Sequence, residues 1–284
     1  MTTAAQRRLM LQRWEGVGAI PSPSMNSVDI GPLTLNAYGV CIGLGVVAAV
    51  LFARARWAER GGRADDVPDL AMWAVPAGVI GARIYHIIND WRPWHEWIEI
   101  WNGGLGIGGG LFGGILAGYV VARRRGLDGP ELLDAAIPAI PIGQAFGRLG
   151  NWFNQENFGR PTDLPWGLRI DPEHRPAGFV DNEIFHPAFL YEAIWNIVLV
   201  VVLVRVDRRG VLKQGMMLPL YVVGYGIGRL LIEAIRIDPA PEYLGLRFNL
   251  WVYGFAVIIG ILSMFRFADN KPSFYAAKPD HVKG

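Results

Sequence analysis

The sequence predicts an all-α polytopic membrane protein of about seven transmembrane helices, with a small extracytoplasmic cap between the fourth and fifth. Three observations carry that prediction. Hydrophobic residues fill 52% of the 284 positions and charged residues only 18%, with a mean hydropathy of +0.25, a balance unlike that of ordinary soluble domains. Apolar runs of roughly twenty residues recur, and a helix rising about 1.5 Å per residue crosses a hydrocarbon core of about 30 Å in that length. Basic residues gather after alternate runs. No nucleic-acid partner is expected at a net charge of +2.

Residues 1–32 read as an N-terminal arm. They lack the three-part form of a cleaved signal peptide, because the segment IPSPS separates their basic start from the first long apolar run. Residues 33–150 hold spans one to four. Of these, 33–52 and 103–122 carry no charge, 67–88 and 132–147 carry few ionisable groups, and 132–147 is short. Residues 151–186 are rich in Pro, Asp, Asn and Gly, too long for a hairpin connection, and read as the cap. Spans five to seven follow at 187–204, 215–235 and 248–265 within the region 187–266, and 267–284 form a tail.

Arg54, Arg56, Arg60 and Arg63 follow span one, and Arg123, Arg124 and Arg125 follow span three. Arg205, Arg208, Arg209 and Lys213 follow span five, and the tail region holds Arg266, Lys271, Lys278 and Lys283. The positive-inside rule therefore places the C-terminus in the cytoplasm and the N-terminus outside. Arg7, Arg8 and Arg13 dissent from that vote. Cys41 is the sole cysteine, which excludes an intramolecular disulfide and a cysteine metal site. A buried, inert thiol is expected there.

Within span three, Gly106, Gly110, Gly114 and Gly118 recur every four residues and share one helix face, which suits close helix packing. A phosphate-loop reading is less apt, because no Gly-Lys-Ser/Thr follows. Charged groups inside a bilayer cost at least about 2.5 kcal/mol on insertion scales, so each calls for a partner or a function. In span six, Tyr225, Arg229 and Glu233 cover about 80° of one face, and Arg236 falls back inside that arc. An Arg229–Glu233 ion pair that only ties helices together is the plainer alternative. Arg83 in span two and Glu192 in span five contribute either to the same interior or to helix–helix ties. At the outer end of span four, GQAFGRLGNWFNQENFGR packs Arg148, Asn151, Asn154, Gln155 and Glu156 into nine residues. Arg148 either snorkels to the interface or joins Arg229 in holding one phosphodiester through forked, charge-assisted hydrogen bonds. A membrane protein meets phosphodiesters in lipid headgroups.

These motifs carry a family resemblance. GRLGNWFNQENFGR resembles the signature of bacterial prolipoprotein diacylglyceryl transferases, HPAFLYE at 186–192 is similar to a second motif of that family, and GYGIGRLLIEAIR at 224–236 resembles a third. Tyr38 and NGGLGIGGG fall in the same order, and IPSPS and LGLRFN resemble an actinobacterial type. The resemblance implies transfer of the diacylglyceryl group of phosphatidylglycerol to the lipobox cysteine thiol of a preprolipoprotein, forming a thioether and releasing glycerol 1-phosphate. This is the first step of lipoprotein maturation, at the bacterial cytoplasmic membrane. The implied partners are phosphatidylglycerol, lipobox-bearing signal peptides and membrane lipids, with no cofactor.

It further implies that Arg148 and Arg229 hold the phosphate and that Asn151 and Glu156 orient the headgroup or the entering peptide, supported by Asn154. Tyr225, Glu233 and Tyr38 would line the cavity, with Arg83 and Arg236 as further headgroup contacts. The chain departs from the family at Gly108, where many members carry a histidine proposed as base. His86 is a possible replacement base, although a lone histidine is more often structural. His186, before a proline, reads as a helix-start residue. No metal is expected, since the five histidines are scattered and no HExxH motif appears. A transporter or lipid flippase using the same arginines as a transit site is the alternative, as is a non-catalytic homologue.

Overall fold

In the computed structural model, residues 19–30, 33–90, 97, 106–238 and 240–277 are described. Most of them are helical. A β-hairpin, β1 (Ser27–Ile30) and β2 (Leu33–Asn36), leads into α1 (Ala37–Glu59). Then follow α2 (Asp66–Asp90), α3 (Ile107–Arg124), α4 (Gly129–Ala136) and α5 (Ile140–Phe153). A second hairpin of β3 (Leu168–Arg169) and β4 (Ile184–Phe185) precedes α6 (Ala188–Arg208) and α7 (Met217–Glu233). A third, β5 (Glu242–Tyr243) and β6 (Leu246–Arg247), precedes α8 (Phe248–Arg266).

Four of these helices are long and apolar enough to cross a membrane: Ala37–Glu59, Asp66–Ile88, Ala188–Arg208 and Phe248–Arg266. Their apolar side chains are widely exposed, as at Val47, Ile80, Val198 and Leu262. Such faces are favourable only where hydrocarbon covers them. The all-α expectation is thus corrected by three short hairpins, each two strands wide. Span one starts at Ala37 instead of residue 33, because 33–36 pair as a strand. The expected fourth span is not one helix: α4 gives way to a 3-10 turn at Ile137–Ala139 before α5 begins. Pro138 and Pro141 account for this break, since neither offers an amide to the helical ladder. Arg7, Arg8, Arg13, Lys278, Lys283 and the start of the glycine-rich run lie outside the described residues.

The chain divides into two compact units. The first comprises Met1–Gly45, Pro141–Leu199 and Val222–Ile259; the second comprises Val46–Ile140, Val200–Tyr221 and Gly260–Gly284. In the second unit, α2 and α3 meet backbone to backbone. A Cβ placed on Gly109 would lie 2.2 Å from the Gly81 carbonyl oxygen, and one on Gly113 would lie 2.6 Å from that of Ala77. Gly110 and Gly114 also face α2, so the stripe serves packing, with its tightest points one residue back from the expected row. Ionic side chains join the helix ends of this unit. Asp207, fully buried, pairs with Arg56 at 2.6 Å and with Arg60, which also pairs with Glu131. Arg56 and Arg60 are therefore internal ties more than a free basic surface. Asp134 accepts from the backbone N–H groups of Gly215 (2.7 Å) and Met217 (3.2 Å), fixing the start of α7.

In the first unit, the 154–187 segment is an ordered module. Phe158, Leu168, Ile170, Phe185 and Phe189 form its core, with Ile20 and Trp152 packed against it. Ile20 bridges Leu168, and Trp152 donates to the Pro21 carbonyl at 3.0 Å. Residues 20 and 21 thus pack against this module. Cys41, in α1, is half-buried by protein atoms.

Candidate functional site

The polar cluster begins while α5 is still helical. Arg148 and Asn151, three residues apart, point to one side, and Arg148 Nη1 donates to Asn151 Oδ1 at 3.2 Å. Asn151 Nδ2 in turn donates to Glu156 Oε1 at 2.7 Å, and Asn154 Nδ2 to the same oxygen at 3.1 Å. Asn151 is buried and Glu156 is exposed. The Gln155 amide clamps Asp171, donating to its carboxylate at 2.6 Å and accepting from its backbone N–H at 2.9 Å. Gln155 and Asn157 adopt left-handed backbone, with φ of 50° and 57°, which polar residues such as Asn tolerate.

That turn delivers Gly159 and Arg160 to the other two motifs. Gly159 N–H donates to the His186 carbonyl at 2.8 Å, and Arg160 N–H to the Ile235 carbonyl at 2.9 Å. A Cβ on Gly159 would lie 2.9 Å from the Ile235 oxygen and 3.0 Å from His186 Cβ. Glycine is what allows three motif segments to join at this point. His186 stands ahead of Pro187 and the first turn of α6, as expected of a helix-start residue. Its Nδ1 lies 3.2 Å from the Tyr191 hydroxyl, and burial pushes its pKa down.

At the centre stands Glu192, 3% exposed. Its Oε2 lies 2.7 Å from Arg148 Nε, an ion pair in contact but poorly aligned as a hydrogen bond. Its Oε1 accepts from Arg229 Nη1 and lies 3.6 Å from Arg236 Nη1. Arg229 also reaches Glu233, four residues on along α7, at 3.2 Å. Glu233 is almost fully enclosed and accepts from Arg247 Nε (2.8 Å) and Asn249 Nδ2 (3.1 Å). Arg247 and Arg236 meet again on Asp238, at 3.2 and 2.6 Å. Burial raises the Asp238 carboxyl, but the hydrogen bond and charge of Arg236 and the charge of Arg247 outweigh it and hold the pKa below its ordinary 3.8. The ring of ion pairs is closed. Among the described residues it joins three guanidinium groups (Arg229, Arg236 and Arg247) to three carboxylates (Glu192, Glu233 and Asp238), and Arg148, attached at Glu192, leaves one positive charge in surplus.

Aromatic groups border this ring. Arg229 lies over the Tyr253 ring at 5.0 Å, and Tyr225 meets Tyr253 edge-on at 6.2 Å. A narrow crevice runs between Trp195, Asn196, Tyr225 and Arg229. Tyr38, in the first turn of α1, packs on Gly150, where a Cβ would lie 2.6 Å from its ring.

Of the residues singled out from sequence, Arg148, Asn151, Asn154, Glu156, Tyr38, Tyr225, Arg229, Glu233 and Arg236 all fall in the first unit. Arg236 reaches the ring by a different route from the one expected. Its place in the helical arc assumed that the helix continues, but α7 ends at Glu233, and Arg236 follows a turn at 234–235, in an antiparallel bridge to Gly159. Arg83 and His86 belong to the second unit, where Arg83 Nε donates to the Trp97 carbonyl at 3.0 Å. Gly108, in α3, is in that unit too. Sequence reasoning undervalued Glu192 and missed Arg247, Asp238 and Asn249. The cues for Glu192 were a carboxylate inside an apolar run and its place at the end of HPAFLYE, and Arg247 carried no periodic signal at all.

Among the described residues, Asp171, Glu173 and His174 are close enough to share an ion. Asp171 is already engaged by Gln155, and the other two are exposed. The chemistry available in the ring is that of anion recognition by guanidinium groups.

Comparisons with known proteins agree with these motifs. The family model described as prolipoprotein diacylglyceryl transferase matches residues 26–266. A phosphatidylglycerol–prolipoprotein diacylglyceryl transferase of Streptomyces griseus is 45% identical over 253 residues, covering 86% of this chain and 75% of that protein. One from Cutibacterium acnes is 44% identical over 274 residues, covering 93% and 92%. One from Mycobacteroides abscessus is 40% identical over 250 residues, covering 81% and 73%.

Proposed function

The chain belongs to the prolipoprotein diacylglyceryl transferase family, and from that premise we propose that it moves the diacylglyceryl group of phosphatidylglycerol onto the lipobox cysteine thiol of preprolipoproteins. The observation that carries this reading at the site is the convergence of Arg148 and Arg229 on one buried carboxylate, Glu192. Two guanidinium groups that share an anionic partner are already spaced to share a phosphodiester. The surplus positive charge of the ring matches the single negative charge of that group.

In the reaction, the cysteine thiolate attacks the diacylglyceryl carbon bonded to a phosphate oxygen. The carbon–sulfur bond forms as the carbon–oxygen bond breaks, and the electron pair leaves on oxygen with glycerol 1-phosphate. Negative charge on the phosphate grows during this step. Preorganised guanidinium groups in a water-poor site stabilise that growth without reorganising. Asn151, bonded to both Arg148 and Glu156, orients the headgroup or the entering peptide together with Glu156, with Asn154 in support. Tyr38 and Tyr225 line the cavity, Glu233 holds Arg229, and Arg236 supplies a further headgroup contact. A thiol of ordinary pKa, about 8.5, must lose its proton to attack well. Gly108 provides no side-chain acceptor for that proton.

The setting is a bacterial cytoplasmic membrane crossed seven times, with 151–186 and the N-terminus outside and the C-terminus inside. The basic residues after spans one, three and five support that orientation.

The test incubates purified protein with phosphatidylglycerol and a lipobox peptide and looks for a diacylglyceryl thioether. Replacing the peptide cysteine by serine should stop its formation. Arg148→Ala and Arg229→Ala should each lower turnover by at least about 10²-fold, the usual effect of removing a donor to developing charge. Full activity in either variant would remove the clamp assignment. Lipid movement between leaflets with no thioether would favour the transporter reading.

A further inference from the structure

We propose that Arg247 is a positioning residue for this transfer, acting through Glu233 and Asp238 to aim Arg229 and Arg236. The proposal rests on the transferase reading above. Among the described residues Arg247 bonds to Glu233, Asp238 and the Arg236 carbonyl, not to Glu192 or Arg148, so its role is separable from that of the clamp.

The geometry begins with Glu233, whose carboxylate is 1% exposed at the end of α7. An enclosed carboxylate is tolerated only when its charge and lone pairs are met. Oε1 is met by Arg247 Nε and Asn249 Nδ2, which leaves Oε2 as the atom for Arg229 Nη2. Arg229 therefore spends one nitrogen on Glu233 and another on Glu192, while its buried Nε meets no acceptor among the described residues. That Nε is a directed donor still available to an anion. With Arg247 removed, Glu233 would have Arg229 as its one cationic partner. A carboxylate in that state draws a guanidinium into a two-pronged grip, since the bidentate pair is the strong one. Arg229 would then turn from Glu192 towards Glu233.

Arg247 is fixed on every side. Its Nη1 donates to the Arg236 carbonyl and its Nη2 to Asp238, each at 3.2 Å. Asp238 in turn accepts from Arg236 Nε at 2.6 Å. One planar fork thus sets the partner of Arg229 and the partner of Arg236. A lysine, as a point charge, could reach only one of those carboxylates. The residue arrives on the β5–β6 hairpin, where Glu242 pairs with Arg247 across a tip formed by Leu244 and Gly245. Both tip residues have left-handed φ, 51° and 74°, as a tight two-residue turn requires.

The experiment measures transfer and phosphatidylglycerol binding in detergent for wild type, Arg247→Gln, Arg247→Lys, Glu233→Gln and the Arg247→Gln/Glu233→Gln double variant. Arg247→Gln is expected to lower kcat/KM for phosphatidylglycerol by about 10–100-fold, as is usual when an outer partner that orients a binding group is lost. The KM for the lipobox peptide should not change. Arg247→Lys should fall between wild type and Arg247→Gln. The double variant should bind lipid no more weakly than Glu233→Gln alone, because the carboxylate that Arg247 restrains is then uncharged. Binding is measured directly so that an inactive Glu233 variant still reports.

Equal losses for lipid and peptide, or losses in the double variant that multiply, would overturn the positioning role. So would an Arg247→Gln protein with wild-type lipid kinetics. Wild-type protein that forms no thioether would overturn the transferase reading, whereas wild-type transfer with an unaffected Arg247→Gln variant would overturn the positioning role alone.

Discussion

Consider Glu192→Gln, a change that keeps size and one acceptor but removes the charge three guanidinium groups share. Glu192 is 3% exposed and Arg229 is 5% exposed, so water cannot replace the lost partner. Breaking a buried ion pair on one side costs about 3–5 kcal/mol, because the other charge stays buried and unmet. The ring would then hold four guanidinium groups against two carboxylates. The free protein should lose stability by roughly that amount. An added phosphate monoester should return much of it, since the ligand supplies the charge that the substitution removed. The assay is thermal unfolding of detergent-solubilised protein with and without glycerol 1-phosphate. The ligand-induced rise should be clearly larger in Glu192→Gln than in wild type. Equal rises in the two proteins, or an unchanged free variant, would refute the idea that Glu192 and the phosphate compete for the same arginines.

Two further outcomes follow from the geometry. Gly109→Ala places a Cβ 2.2 Å from the Gly81 carbonyl oxygen, and neither backbone can yield, so α2 and α3 must separate. A loss of about 1–3 kcal/mol is expected, read as a lower unfolding midpoint. Gly43→Ala, with nothing within 4 Å, should leave that midpoint unchanged. For pH, the folded-state pKa of Asp238 is held below 3.8 by Arg236 and Arg247 in spite of burial. Its contribution is fully present above pH 3.8 and is lost as pH falls through the lower folded value. Asp238→Asn should flatten the acid limb of the stability profile there and leave the neutral region without a new slope.

Much of the architecture was legible because hydrophobic length is a strong signal. The long uncharged run at 248–265 corresponds to α8 within one residue, and most of the run at 33–52 lies in α1 (Ala37–Glu59). The break at Pro138 was less legible, since apolar character continues through it and only backbone chemistry interrupts the helix. The two-residue strands were invisible for a related reason, as periodicity needs more length than they have. At the site, spacing by four exposed the Arg229–Glu233 pair, and local density exposed Arg148 and Asn151. Arg236 was misplaced because its angle was read off a helix that stops at Glu233. Arg247 lay beyond reach, for a basic residue in a loop states nothing about which carboxylate it will meet after a hairpin turns it inward.

The junction at Gly159 has a practical corollary for chimaeras. Its amide is tied to His186, and the amide of Arg160 is tied to Ile235, so the three motif segments share main-chain hydrogen bonds as well as side chains. A segment transplanted from a relative brings its own backbone path, and a mismatch of a few tenths of an ångström at one seam spreads to the other two. Segments 148–160, 186–192 and 224–236 are therefore one heritable block scattered along the chain. Exchanging them together should preserve a working clamp where exchanging any one alone would not.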